Sequence, residues 1–312
     1  MKSVLILGGN GFIGKNLAEQ LVCQGEAVTC FDLNPPQKSI DKVRYIQGSF
    51  WDENKLEEIT DHIDVVFHAV SSINPGTSNQ KYMQGYSMDF IHTVKLCEII
   101  KKKNIKMIFL SSGGTIYGSQ VIQPIKEDAP AYPINHYGNV KLCMENTMRI
   151  FNRQNGTAIK IARIANPYGD GQNFEKGVGF IDAVLKNGLN HSTVEVYGNG
   201  EIIRDYIYIK DVCKMLCAIM DYQGTEEIFN LSSGIGTSQK QIIEFAKVWM
   251  PGLKIRYLNS RPIDVDKIVL DNAKIRTICN ITPIPLFNGM HLYYQNLEYH
   301  IRQKSTTWRC EE

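Results

Sequence analysis

The sequence lacks any apolar run of the roughly 18 residues that a helix needs to cross a bilayer. Its first apolar segment opens at Val4, which leaves no space for a secretory leader. A cytoplasmic chain without membrane contact is therefore expected. Excess charge is also small, a net +2 over 312 residues, so composition offers no electrostatic reason to expect nucleic acid. The basic cluster Lys101, Lys102, Lys103 and Lys106 closes an expected helix, where cations complement the helix dipole. Cysteine is present eight times, but no two are spaced as Cys-x-x-Cys. Cys213 and Cys217 share a helix face without further ligand-type residues, and His62, His92, His136, His191, His291 and His300 show no metal-ligand spacing. No metal site is expected, and the thiols read as reduced and mostly buried. Internal repeats and low-complexity tracts are missing as well.

What the chain does have begins at Val4-Leu5-Ile6-Leu7, a buried strand by its apolar run, followed at once by Gly8-Gly9-Asn10-Gly11-Phe12-Ile13-Gly14. Ile13, Leu17 and Leu21 then recur at helical spacing. Strand, glycine turn and helix in that order make a dinucleotide fold. Gly8 permits the turn, Gly11 lets backbone approach a pyrophosphate, and Gly14 packs helix against strand, with the phosphates on the helix N-terminus. Asp32 ends the next apolar run, eighteen residues past Gly14, where a carboxylate accepts hydrogen bonds from an adenosine ribose. It would repel a 2′-phosphate, which favours NAD over NADP.

A second constellation is Tyr137-Gly138-Asn139-Val140-Lys141. Residues four apart share one helix face, so a phenol stands beside an ammonium. A neighbouring cation favours the phenolate, which predicts a base usable at neutral pH, and one lysine rarely suffices without a second cation such as an oxidised nicotinamide.

Further strands are expected at Val43 to Ile46, Val65 to His68, Met107 to Ser111 and Ala158 to Arg163, alternating with helices around residues 86 to 103 and 137 to 153. Such alternation implies an α/β fold, a Rossmann-like doubly wound parallel sheet covered by helices. The expected division is a dinucleotide-binding domain over 1–168 and a smaller, interrupted α/β substrate-binding domain over 169–312. Segment 204–232, with strands near Arg204 to Ile209 and Ile228 to Leu231, is expected to return to the sheet. Glycines 169, 171, 177 and 179 mark a looser stretch between the two. The long helices around 86–103 and 137–153 are expected to pair two copies as a homodimer.

These residues resemble a known family, the extended short-chain dehydrogenase/reductases, and within it the nucleotide-sugar epimerases and dehydratases typified by UDP-glucose 4-epimerase. The resemblance covers nearly the whole chain. It rests on Gly8-x-x-Gly11-x-x-Gly14, on Ser111-Ser112-Gly113-Gly114-Thr115-Ile116-Tyr117-Gly118, and on Tyr137-x-x-x-Lys141. Arg163-Ile164-Ala165-Asn166-Pro167-Tyr168-Gly169 and Arg204-Asp205-Tyr206-Ile207-Tyr208-Ile209-Lys210-Asp211 complete it. It implies that Tyr137 takes a proton from a sugar 4-hydroxyl while hydride passes from C4 to NAD, and that Lys141 holds the nicotinamide ribose. Return of hydride to the other face of the 4-keto sugar would invert C4. By the same likeness Phe12 and Ile13, with Ala69, Val70 and Ser71 after the structural His68, line the cofactor pocket, and Phe50 packs on the adenine. Asn166, Arg204 and Arg261 would bind the diphosphate of a UDP-hexose, with Asp264 closing beside them. Tyr197 would stack on the base, and Ile268 would sit near the sugar C2 group, leaving space for an N-acetyl substituent.

Departures from the family pattern narrow the reaction. Related dehydratases carry an Asp-Glu pair at the positions of Gly114 and Thr115, and sugar-acid decarboxylases a glutamate at the latter; without a carboxyl group there, both reactions are disfavoured. Gly113 occupies the place of the usual catalytic Ser or Thr, so Ser112 or Thr115 is expected to supply the hydroxyl, with the Gly113-Gly114 backbone letting substrate approach. Ser49 stands where an adenine-binding Asp is common, and Asp89 where an Asn is usual. The expected activity is a nucleotide-sugar 4-epimerase. The alternatives are a reductase of 4-keto sugar nucleotides and, from another class, a non-catalytic NAD-binding module. His136 reads as a solvated helix-start residue, and the tail from Ser305, with Trp308 and Cys310, as a polar, disordered end.

Overall fold

The computed structural model describes residues 1–172, 179–260 and 265–307. Along the first half run β1 (Ser3–Leu7), α1 (Phe12–Cys23), β2 (Ala27–Asp32), β3 (Val43–Gln47), α2 (Glu53–Ile59) and β4 (Val65–His68). The short α3 (Tyr82–Gln84) continues through a π-helical turn, Gly85–Phe90, into α4 (Ile91–Lys103). Then come β5 (Lys106–Ser112), the one-turn α5 (Gly113–Ile116), α6 (His136–Asn155), β6 (Ile159–Ile164) and β7 (Asn166–Tyr168). The second half holds α7 (Phe180–Leu189), β8 (Thr193–Tyr197), β9 (Ile203–Tyr208), α8 (Ile209–Asp221), β10 (Ile228–Leu231), β11 (Gly236–Ser238), α9 (Gln239–Trp249), β12 (Lys254–Leu258), β13 (Lys267–Ile268), α10 (Ala273–Arg276) and α11 (Leu286–Thr307).

Seven strands form one parallel sheet in the order β10-β6-β5-β4-β1-β2-β3. Both faces are covered, as the alternation along β1 shows: Val4 and Ile6 join the core under α1 and α8, whereas Leu5 and Leu7 join the core under α2, α4 and α6. That double burial is why the strands read as unbroken apolar runs. The expected strands appear within two residues of their bounds. One expectation fails. β10 lies on the large sheet beside β6, but β9 is the centre of a separate small sheet, pairing with β7, β11 and β13.

Two further corrections concern orientation. Ile268 lies in β13 and is 1% exposed, packed into the core, so it does not face a sugar C2 group. The C-terminal helix α11 extends to Thr307, taking in the first three residues of the tail read as disordered, while Trp308 and Cys310 lie outside the described residues. Among the described residues no helix is long and apolar enough to cross a membrane.

Candidate active site

Strand order reverses between β1 and β4, so the crevice at their carboxyl ends is where an open α/β sheet takes a ligand. Gly8 fills it at φ +81°, with a hypothetical β-carbon only 3.1 Å from the Ala69 backbone and 3.2 Å from Val70 N. Gly14 is tighter still, since its β-carbon would meet Gly8 O at 2.3 Å and Gly9 Cα at 2.8 Å. The first turn of α1 is thereby seated on the glycine turn, with Phe12 and Ile13 as its first residues. A β-carbon on Gly11 would meet just Gly8 O, at 3.2 Å, and Gly11 caps α1 without any side-chain hydrogen bond. Among the described residues no side chain caps the first turn of the helix, and Gly11 is exposed, which suits the cradle a pyrophosphate requires. Asp32 closes β2, its carboxylate accepting from the N–H groups of Asn10 (3.0 Å) and Asn34 (3.2 Å). This fits a dinucleotide.

The adenine side differs from expectation. Phe50 is 6% exposed, its ring 4.9 Å from the imidazole of His68 and 6.5 Å from that of His92. Packed inward in this way, it offers little face for a base to stack on. Ser49 accepts the N–H of Trp51 at 3.2 Å, a local turn contact. His68 is fully buried and bonded through Nε2 to Thr93 Oγ1 at 2.8 Å, and burial holds it well below the usual histidine range, so it is neutral. His136 is exposed but not merely solvated, stacking on Tyr82 at 4.9 Å and meeting Tyr86 Oη at 3.2 Å.

α6 brings the phenol and ammonium to the end of β5. Asn135 caps the helix by accepting from Gly138 N (2.8 Å), and a β-carbon on Gly138 would fall 2.5 Å from Thr115 O. Only glycine lets that first turn press so closely on the Ser112–Thr115 loop, which sets Tyr137 beside it. Thr115 Oγ1 donates to Ser112 Oγ at 3.0 Å. Lys141 donates to Leu110 O at 3.1 Å, with Nζ 4.6 Å from the Phe109 ring centre and 5.8 Å from that of Tyr137.

The expected acidification of Tyr137 by Lys141 is not present in the protein alone. Burial, with the Asp89 carboxylate acting in the same direction, pushes the phenol up to about 12. Burial likewise drives Lys141 down to about 8, against the opposing pull of Asp89 and Glu145. Asp89 sits in the π-helical turn, a form often found at functional sites. One of its oxygens accepts from Ser71 Oγ (3.1 Å) and Ser72 N (2.8 Å), and the other, Oδ1, is buried without a partner. An unpaired buried carboxylate oxygen beside the Tyr137–Lys141 pair is costly, and it marks a place for a donor.

A buried network of residues absent from the expected site supports it. Glu145, one helical turn after Lys141, accepts from Ser111 Oγ (2.5 Å) and from Arg163 Nε and NH2 (3.1 and 2.7 Å to Oε2). Arg163 NH1 donates to Tyr117 Oη at 2.9 Å, and Tyr117 donates to Asn230 Oδ1 at 2.7 Å. The loop between Ser111 and Tyr117 is therefore tied at both ends. A charged residue at four-residue spacing from Lys141 is the signal that reveals Glu145 in sequence.

Next to this loop, Asn166, Tyr197, Arg204, Tyr206 and Gln239 line a cavity of about 220 Å³. Gly114 joins the two regions, since its β-carbon would touch Asn166 Oδ1 at 3.5 Å. Asn166 Nδ2 is fixed on Asp205 O at 2.8 Å, and the Asp205 carboxylate turns away to accept from Ser233 N (2.9 Å), Ser233 Oγ (2.7 Å), Gly234 N (3.1 Å) and Leu270 N (3.3 Å). Arg261 and Asp264 lie outside the described residues. A larger hollow, about 570 Å³, is lined by Gln24, Asp221 and Tyr222 at the far ends of α1 and α8, away from these groups.

Fold and cradle together define an α/β dinucleotide-binding protein. A sequence model of the NAD dependent epimerase/dehydratase family matches residues 4–232, and the chain belongs to that family, whose cofactor is NAD. The UDP-glucose 4-epimerase of Lactobacillus helveticus is 29% identical over 90% of this chain and 92% of its own. A dTDP-4-dehydro-6-deoxyglucose reductase of Escherichia coli is 32% identical over 77% of this chain and 79% of its own. Among solved structures, the UDP-glucose 4-epimerase of Thermotoga maritima, determined with UDP-glucose, superposes with a TM-score of 0.90 at 28% identity, covering 96% of this chain and 99% of that one.

Proposed function

We propose that the protein inverts C4 of a nucleotide-activated hexose, with UDP-glucose or UDP-N-acetylglucosamine and their C4 epimers as the substrates to test first. The observation that carries this reading is the meeting of Tyr137, Lys141 and the Ser112–Thr115 hydroxyl pair at the end of β5, beside the dinucleotide cradle. NAD, when bound, supplies a hydride acceptor for the sugar carbon and a positive ring that helps ionise a phenol. Tyr137 takes the 4-hydroxyl proton and later returns it. Lys141, held on Leu110 O, keeps a cation beside the phenol. Ser112 and Thr115 orient the sugar oxygen, and Asn166, Tyr197 and Arg204, with Gly113 behind them, hold the nucleotide end. Gly8, Gly11, Phe12, Ile13, Gly14, Asp32, Ala69, Val70, Ser71 and Asp89 form the cofactor side. In this reading residues 1–168 carry the dinucleotide and 169–312 the substrate.

The test is to mix purified protein, without added reductant, with each UDP-sugar and to follow C4 stereochemistry by NMR. Inversion of at least one is expected, and Tyr137→Phe should lower the rate by about 10²–10⁴-fold, the span of general acid–base catalysis. Absence of inversion with every UDP-hexose would refute it. The 32% identity to a keto-sugar reductase favours a second reading, one-way reduction of a 4-keto sugar nucleotide. A stoichiometric requirement for NADH would establish that instead. Pairing of two copies through 86–103 and 137–153 belongs to the same proposal, and light scattering would show a mass twice that of the chain. Ile91 and Ile150 are exposed apolar side chains on those segments, and Tyr82 and Met83 are exposed just before the first of them.

A further inference from the structure

A side chain at position 113 would need Leu270 to move. A β-carbon built on Gly113 falls 2.3 Å from Cδ1 of Leu270, and 3.4 and 3.5 Å from the carbonyl oxygens of Arg163 and Ile164. The volume a side chain would take from Gly113 is therefore filled by Leu270. Leu270 is fully buried, and its backbone is held on three sides. The N–H donates to Asp205 Oδ2 at 3.3 Å, the carbonyl accepts from Ser232 Oγ at 3.2 Å, and the residue forms a bridge with Ile125. The main chain at 270 cannot withdraw without breaking these contacts, and a close-packed interior leaves the isobutyl group little freedom to turn. Position 114 is unlike it, for a β-carbon there makes an ordinary contact with Asn166.

We propose that Leu270 occupies the volume that a Ser or Thr at 113 would need, and so transfers the substrate-facing hydroxyl to Ser112, with Thr115 behind it. The proposal rests on the C4 reading above. A hydroxyl has one proton to give and two lone pairs. Thr115 is buried and donates its proton to Ser112 Oγ, while Ser112 keeps part of its surface open. The Ser112 proton is thereby left for an acceptor outside the protein, and beside Tyr137 that acceptor is the sugar O4. Leu270 acts as a positioning residue, and Ser112 as the group that touches substrate.

Two measurements judge the proposal. In thermal melting, Gly113→Ser should lower Tm by about 2–8 °C, the cost of overpacking. The same serine added to Leu270→Ala should change Tm by less than about 1 °C. Leu270→Val, which removes one methylene, provides an intermediate case if the alanine variant does not fold. In steady-state kinetics Ser112→Ala should reduce kcat about 10²-fold with KM within about threefold. Gly113→Ser alone should restore nothing, whereas Gly113→Ser with Leu270→Ala should recover at least about tenfold. Unchanged Tm in Gly113→Ser, rescue by Gly113→Ser alone, or wild-type kcat in Ser112→Ala would each overturn the proposal. Melting reports on packing whatever the activity, so a chain that folds and packs as described yet turns over no nucleotide sugar would sink the C4 reading, and the role of Ser112 with it.

Discussion

Burial raises the Tyr137 phenol and lowers the Lys141 ammonium, and Asp89 is a charge that acts on both. Its carboxylate raises the phenol and also supports the lysine ammonium, so it opposes the very ionisation the pair is read to promote. Asp89→Asn removes that charge while a side-chain oxygen can still accept from Ser72 N–H. The phenol should then ionise at lower pH, by about half a unit or more. Absorbance titration of the variant, with the Tyr137→Phe protein subtracted, would measure it, and an unchanged or higher midpoint would contradict the assignment. For Lys141 the sign runs the other way from a paired surface lysine. Its folded value, about 8, lies below the ordinary 10.5, so the unfolded chain binds more protons between those values. Stability should therefore rise with pH through that window, by something on the order of 3 kcal/mol relative to Lys141→Met. Urea unfolding at pH 7.5 and 10 would test this, and a flat difference would refute it.

At the scale of elements, α6 is joined to β5 and β6 by the buried Glu145–Arg163 pair, which also fixes Ser111 and Tyr117 on either side of the hydroxyl loop. Breaking such a pair by removing one partner leaves an uncompensated buried charge, at a cost of about 3–5 kcal/mol. Glu145→Ala should lose that much in urea unfolding, and a loss under about 1 kcal/mol would contradict the account. Elements were also the level at which sequence was most legible. β1, the glycine turn and α1 announce themselves because apolar run, turn and helical period are local signals. β9 reads as a strand for the same reason, but nothing local says which sheet it joins. Phe50 and Ile268 reveal their type and not their direction, since burial is settled by segments far along the chain. The contact between Gly113 and Leu270 is of that kind too: the missing side chain shows in the sequence, and what fills its volume does not.

For the whole molecule, the reversal of strand order between β1 and β4 puts the dinucleotide cradle, the Tyr137 helix and the Asn166–Arg204 cavity at one end of the sheet. Motif spacing located these groups singly, and topology brings them together. The proposed C4 inversion requires that hydrogen leave and rejoin the same sugar carbon within one catalytic cycle. The direct measurement is turnover of UDP-glucose, or of UDP-N-acetylglucosamine if that is the better substrate, carrying deuterium at C4, in the presence of excess unlabelled NADH. The account predicts an inverted product that retains deuterium at C4. Product in which the label is exchanged for protium, or reduction that consumes NADH without inversion, would contradict it.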